Sequence, residues 1–360
     1  MQLIQSLQVL RALAAFSIVW GHIRHEILST PTLYGLTEAD FVIPKGFYLV
    51  PTSGIDMFFI ISGMVITCQC WHSFNSGAQW EFIKRRIARL LPPYWLYLLA
   101  TALWLLANHY FFAGKAVDWN KFFHSIALVP VGSAWSGYFL PQAWTLNYEL
   151  YFYCLMFVAL MLPRPFLLPL IGGAITFGVM LRPYADLDIF IFNVITNPIL
   201  YEVFFGICIG VIYSRNLRVP AWICYAALAL SAGMYVMAYY ETLGFTRAID
   251  WGLPAALLAF GLVFLERLGS LRLPRFLVAL GNSSYTIYLT HVLLLLMLGR
   301  IFYEIGLLRI MQPDLLVLLC TCIAFFLGHK LYEYVDKPLN RFTRILAAGK
   351  GRTAAPPTSA

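Results

Sequence analysis

The chain has few charges and no segments that alternate like membrane strands. Only 12% of its 360 residues are charged, whereas a soluble domain carries about 25%. Regularly spaced segments of alternating polar and apolar residues, typical of a membrane β-barrel, are missing from the sequence. Mean hydropathy is +0.74, and 61% of the residues are hydrophobic. The sequence therefore predicts an all-α protein, a polytopic bundle of transmembrane helices.

The sequence also lacks the patterns of a metal site and of a nucleic-acid interface. Cys68 and Cys70 form one close pair and Cys320 and Cys322 another, but neither has a second pair at zinc-like spacing. We therefore predict no metal site. The net charge of +8 comes from basic residues that cluster between apolar runs, as the positive-inside rule requires. We predict contact with membrane lipids and no nucleic-acid partner.

Apolar runs near the length that crosses a bilayer recur along the chain. We count about ten spanning helices: about 7–27, 54–71, 92–112, 143–162, 166–182, 198–213, 220–239, 249–265, 276–298 and 314–334. Lysine and arginine concentrate in the connections on one side, which predicts that both termini lie in the cytoplasm. We expect one integral membrane domain, residues 1–345, and a short disordered cytoplasmic tail, residues 346–360.

The first apolar run contains two ionisable side chains, Arg11 and His22. Such groups are costly at bilayer depth and usually functional. Eleven residues at about 100° each make about 1100°, within roughly 20° of three full turns, so both side chains share one helix face. They are roughly 16 Å apart along the helix axis. An extended molecule could lie between them.

Four titratable side chains from four predicted helices fall at a similar outer depth: His22, Asp56, Glu149 and His291. Polar residues at matched depth converge on a cavity because facing lipid is worse. The alternatives are an interhelical hydrogen bond for a single His or Glu, and helix capping for Asp56. We predict that His22 is a general base. Either Glu149, favoured by its depth, or Asp56 would orient the imidazole.

The predicted cytoplasmic side carries a basic segment, 84–95, with Arg86 and Arg89 one turn apart. Topology accounts for part of this charge, but paired guanidinium groups also suit phosphate through bidentate bonds. We predict a binding site for a phosphorylated carrier formed by Arg11, Arg85, Arg86, Arg89 and Ser62, although Ser62 and Gly63 also suit small-residue helix packing. A phosphorylated head on a long thioester arm describes coenzyme A. The predicted donor substrate is therefore an acyl-CoA, with acetyl-CoA as the default, and no cofactor is permanently bound.

Six motifs in order resemble those of the membrane acyltransferase-3 superfamily. They are the R-x10-H helix at 11–22, the segment 54–64, the basic segment 85–95, the segment 144–153, the segment 281–291 and the segment 335–341. Met64 stands where the superfamily has an aromatic residue, and Asp336 stands where it has glutamate. The match extends over nearly the whole chain.

The resemblance implies O-acyl transfer from cytoplasmic acyl-CoA to a sugar hydroxyl of an exported polysaccharide or surface glycan, free or lipid-linked. The short form is similar to exopolysaccharide acetyltransferases of the succinoglycan or xanthan type. It implies a multi-pass protein of the bacterial inner membrane, with polysaccharide-export machinery as a partner. Tyr288 and His291 would line the acceptor path. Two other classes stay open: a glycan flippase or proton-coupled transporter, and a scaffold of an export complex.

Overall fold

Each predicted apolar run contains a helix in the computed structural model of the chain. The structure describes residues 4–29, 37–43, 53–112, 114, 116–132, 136–240, 246–307 and 310–348. The α-helices are α1 (Gln5–Ser29), α2 (Gly54–Cys70), α3 (Gln79–Phe112), α4 (Trp119–Ile126), α5 (Trp144–Leu160), α6 (Leu167–Leu181), α7 (Phe190–Ile195), α8 (Leu200–Ser214), α9 (Ala221–Tyr239), α10 (Leu253–Arg267), α11 (Arg275–Glu304), α12 (Pro313–Leu331) and α13 (Lys337–Ala348). Short π-helical segments, Ala248–Gly252 and Tyr332–Asp336, precede α10 and α13. No β-strand occurs within the described ranges.

Several helices are long and apolar enough to cross a membrane. Within the described residues there are seven such segments: Gln5–Leu28, Gln79–Phe112, Arg164–Tyr184, Ala221–Tyr239, Ala248–Arg267, Arg275–Glu304 and Pro313–Thr343. Two shorter apolar helices, α2 and α8, accompany them. The chain is therefore an all-α, multi-pass membrane protein. The number of about ten spans and the cytoplasmic location of both termini stay predictions.

The basic segment begins a long helix instead of preceding one. The sequence predicted a span from residue 92, but α3 is a single 34-residue helix from Gln79 to Phe112 that contains Pro92 and Pro93. Proline has no backbone N–H, so the carbonyl four residues earlier loses its helical partner. The Thr343 hydroxyl of α13 donates instead to the Ala88 carbonyl at 3.0 Å. This contact supplies a substitute donor, and the basic residues lie on a continuous helix.

Helices α2 and α8 pack backbone to backbone through glycine. A Cβ on Gly63 would lie 2.2 Å from the Val203 carbonyl oxygen, and a Cβ on Gly206 would lie 2.0 Å from the Ile60 carbonyl oxygen. Small residues allow this close approach in membrane helices. The packing alternative therefore holds for Gly63, whereas the neighbouring Ser62 lines an internal cavity.

Helix α1 runs parallel to α11 and is held close to it. A Cβ on Gly281 would lie 2.0 Å from the Gln8 carbonyl oxygen, so the two backbones touch near the start of both helices. Arg11 then contacts Ser284, and further along both helices His22 contacts His291. The shared face predicted for Arg11 and His22 is present, and it faces α11.

Asp336, from the last sequence motif, joins three elements at the π-helical segment before α13. Its buried carboxylate accepts hydrogen bonds from Tyr97 of α3 at 2.8 Å and from the Thr286 hydroxyl of α11. The contact fixes α3 against α11. Helix α13 continues to Ala348, inside the predicted tail, and residues 349–360 lie outside the described residues.

Candidate active site

A central cavity of about 110 Å³ lies between α1, α2, α3, α5 and α11. It brings together six of the predicted site residues: Arg11, Ser62, Arg86, Arg89, Glu149 and Tyr288. Its remaining lining is largely apolar and aromatic, including Phe58, Phe59, Tyr153 and Tyr285. A mostly apolar cavity with a few converging polar groups is the usual form of a small-molecule site.

The cavity has an excess of positive charge. Arg11, Arg86 and Arg89 contribute three guanidinium groups, and Glu149 contributes one carboxylate. The Glu149 carboxylate accepts a hydrogen bond from the Tyr153 hydroxyl, and the Arg11 Nε donates to Ser284 Oγ at 3.1 Å. Arginine binds phosphate and carboxylate in a bidentate manner. The cavity therefore suits an anionic ligand.

Arg86 is held in place before any ligand binds. Its side chain is 9% exposed, and its Nη2 donates to Gln69 Oε1 at 2.5 Å. The guanidinium carbon lies 5.6 Å from the ring centre of Phe82 and 5.9 Å from that of Tyr153. Arginine over an aromatic face gains a cation–π attraction. These contacts fix the guanidinium at the wall of the cavity.

A second, larger cavity of about 1050 Å³ adjoins the first. Arg86 and Arg89 line both cavities, so the two meet at this arginine pair. Arg85 and Arg267 add two more guanidinium groups to the larger cavity, and Trp71 and Tyr213 add aromatic surface. The Arg85 side chain is 62% exposed and lies 3.6 Å from Glu81. The larger cavity has room and charge for a polyphosphate group.

His22 pairs with another histidine and not with a carboxylate. His22 Nδ1 lies 2.7 Å from His291 Nε2, and His291 Nδ1 lies 2.6 Å from the Tyr288 carbonyl oxygen. Neither histidine lines the central cavity, but Tyr288 does. The prediction that Glu149 or Asp56 orients His22 has no supporting contact among the described residues. Glu149 lies with the arginines because a carboxylate is more stable beside cations than beside a neutral ring.

Asp56 pairs with an arginine and not with His22. It is fully buried, and its Oδ2 accepts from Arg247 Nη2 at 2.8 Å. The Glu202 carboxyl, also fully buried, adjoins it. Burying a carboxylate is costly unless a cation accompanies it, so Asp56 faces the cation of a neighbouring element. It neither caps α2 through a side-chain bond nor contacts His22.

Sequence reasoning missed several polar side chains around these groups: Gln69, Ser284, Glu202, Arg247 and Arg267. Glu202 carried a detectable signal, because a single acid within the apolar run 198–213 is as costly as the residues that were selected. Gln69 carried none, since polar uncharged residues are common in membrane helices. Ser284 lies in the motif segment 281–291, but nothing in that motif indicated a contact with Arg11.

Comparison with known proteins decides the family. A family model described as an acyltransferase domain, that of the acyltransferase-3 family, matches residues 4–329. The chain belongs to the acyltransferase-3 family. It is also similar to the exopolysaccharide production protein ExoZ of Rhizobium meliloti (strain 1021), with 29% identity over 315 residues, which cover 85% of this chain and 96% of ExoZ. No solved structure matches the chain.

The acyltransferase-3 match includes every helix that lines the central cavity. Residues 4–329 contain Arg11, the α3 arginines, Glu149 and the His22–His291 pair. The resemblance that the six motifs indicated is therefore confirmed at the level of the family, and the chain is a membrane acyltransferase by membership.

Proposed function

We propose that the protein transfers an acyl group, acetyl by default, from cytoplasmic acyl-CoA to a sugar hydroxyl of an exported polysaccharide or surface glycan. The observation that carries the proposal is the pair of contacts along α1 and α11. Arg11 meets Ser284 beside the arginine-lined cavity, and His22 meets His291 further along the same two helices. These contacts support an anion site and a base along the same pair of helices.

The donor would bind with its phosphates at the junction of the two cavities. Arg86 and Arg89 line both spaces, and Arg85 and Arg267 extend the positive charge into the larger one. The pantetheine arm would follow the central cavity past Ser62 toward Tyr288. Its apolar and aromatic walls suit an uncharged arm, whereas the guanidinium groups suit phosphates.

The transfer step needs one base and one leaving thiolate. His22 takes the proton from the acceptor hydroxyl while that oxygen attacks the thioester carbonyl carbon. A new C–O ester bond forms, and the C–S bond breaks. The proton returns from His22 to the coenzyme A sulfur, so the products are an acylated sugar and the free thiol.

The acceptor class is inferred from the relative. ExoZ is named as an exopolysaccharide production protein, and the chain covers 96% of its length. We propose a lipid-linked or exported exopolysaccharide as the acceptor, the bacterial inner membrane as the location, and polysaccharide-export machinery as a partner.

Thiol release tests this function. Purified protein in lipid nanodiscs is given acetyl-CoA with chemically deacetylated exopolysaccharide from the source strain, and free thiol and sugar-bound acetate are quantified. We expect one thiol per acetate transferred, and both to depend on the glycan. A flippase, transporter or scaffold would release no thiol, and that result would contradict the proposal.

A further inference from the structure

His291 makes one hydrogen bond with the proposed base, His22, and one with the main chain. Its Nδ1 lies 2.6 Å from the Tyr288 carbonyl oxygen, and a carbonyl can only accept, so this nitrogen carries a hydrogen. A neutral imidazole has one N–H, so His291 Nε2 carries a lone pair. It must accept from His22 Nδ1 across the 2.7 Å contact. The lone pair of neutral His22 therefore lies on Nε2.

The two rings are arranged for an in-plane hydrogen bond. Their planes differ by 19° and their centres are 5.0 Å apart, although the two bonded nitrogens are only 2.7 Å apart. The nitrogens therefore approach along the rings, and the N–H of His22 points at the lone pair of His291. A bond of this geometry fixes the orientation of the His22 ring as well as its tautomer.

The main chain that holds His291 is itself anchored. The Tyr288 hydroxyl donates to the Gln142 carbonyl oxygen at 3.0 Å and lies 3.0 Å from Thr145 Oγ1. The Gln142 amide donates to the Leu289 carbonyl oxygen at 2.8 Å. These contacts join α11 to the start of α5. His291 is 1% exposed, so it has little freedom to turn away from His22.

We propose that His291 is a positioning residue that sets the His22 tautomer and ring orientation, leaving Nε2 as the base. This inference rests on the proposed function. It gives His291 the part that an aspartate takes in a Ser-His-Asp triad, and it replaces the sequence-based assignment of His291 to acceptor binding. After His22 Nε2 takes the hydroxyl proton, the cation keeps donating from Nδ1 to His291.

Two substitutions separate this role from acceptor binding. In His291→Asn the side-chain amide can still reach the Tyr288 carbonyl but offers no acceptor near the old Nε2. In His291→Gln the longer side chain can place its amide oxygen near that position. We expect kcat to fall roughly 10²- to 10⁴-fold in the asparagine variant, the range a general base supplies, and about tenfold or less in the glutamine variant. KM for deacetylated exopolysaccharide should stay within about threefold in both.

A matched control is His124→Asn, which alters an exposed histidine whose Nδ1 also bonds to a backbone carbonyl, that of Asn120. Two kinetic results would overturn the proposal: an asparagine variant with wild-type kcat, or a rise in acceptor KM with kcat unchanged in both variants. Wild-type protein that releases no thiol would instead count against the proposed function alone.

A second measurement does not need an active variant. Nitrogen-15 NMR of histidine-labelled wild-type protein in bilayers reports which ring nitrogen carries hydrogen, with the His22 signal assigned by its loss in His22→Asn. We expect His22 protonated at Nδ1 and His291 at Nδ1. His22 protonated at Nε2 alone would overturn the inference even if the acyl-transfer assay succeeds.

Discussion

Replacing Arg86 with alanine should weaken acyl-CoA binding without unfolding the protein. The side chain is 9% exposed and lines both cavities. A hydrogen bond to a charged group contributes about 1.5–3 kcal/mol. At 1.4 kcal/mol per factor of ten, the loss of affinity is roughly 10- to 150-fold. Arg86→Lys should recover part of the loss, because lysine keeps the charge but not the bidentate geometry.

The cost to stability should be smaller and separable. Arg86 loses its positions over Phe82 and Tyr153, and both ring centres lie 5.6–5.9 Å away, close to the limit of about 6 Å for this attraction, so each contributes about 1 kcal/mol. Its hydrogen-bond partner Gln69 is exposed and can bond to water instead. We therefore expect the thermal midpoint to fall by only a few degrees, so most of the protein stays folded at assay temperature.

The assay is calorimetric titration of coenzyme A into protein in nanodiscs at fixed ionic strength, since salt screens such contacts. Lys84→Ala is the matched control, because Lys84 is exposed on the same helix and lines neither cavity. It removes the same charge but should change affinity less than about threefold. Equal affinities for Arg86→Ala and Lys84→Ala would refute the docking site.

Two further predictions concern the carboxylates. Glu149→Gln should lower kcat by no more than about tenfold, whereas losing a residue that assists the base would lower it roughly 10²- to 10⁴-fold. The same change should strengthen coenzyme A binding, because it removes the negative charge among the arginines. A loss of kcat as large as that of His22→Ala would restore Glu149 as the partner of the base. Arg247→Ala should lower the thermal midpoint because it leaves the Asp56 carboxylate buried without its 2.8 Å partner, and adding Asp56→Asn should recover part of the loss. A double variant no more stable than Arg247→Ala would show that the pair is not the cause.

Helical periodicity predicted much of the fold and one part of the site. The apolar runs correspond to helices, and the 11-residue spacing correctly places Arg11 and His22 on one face of α1. Depth also correctly grouped Arg11 with Arg86 and Arg89, which line one cavity. These features depend on the spacing of residues along a single helix, which can be read directly from the sequence.

The depth of a residue in the membrane did not predict which side chains are in contact, because it leaves the rotation of each helix about its axis undetermined. Glu149 was expected near His22 but lies among the arginines, and Asp56 faces Arg247. Rotation is set by packing between elements distant in sequence, such as the contact of Gly281 with the Gln8 backbone. The start of α3 was misplaced for a related reason, since a tertiary contact from α13 compensates for a proline.

The most direct test of the central claim is a single-turnover measurement on His22→Ala beside wild-type protein. Both are loaded with radiolabelled acetyl-CoA in nanodiscs, and label on deacetylated exopolysaccharide is followed in time. If His22 is the base, the variant binds coenzyme A as wild type does, because His22 lines neither cavity, and it transfers label at least about 100-fold more slowly. Label transfer at the wild-type rate would show that His22 is not the base.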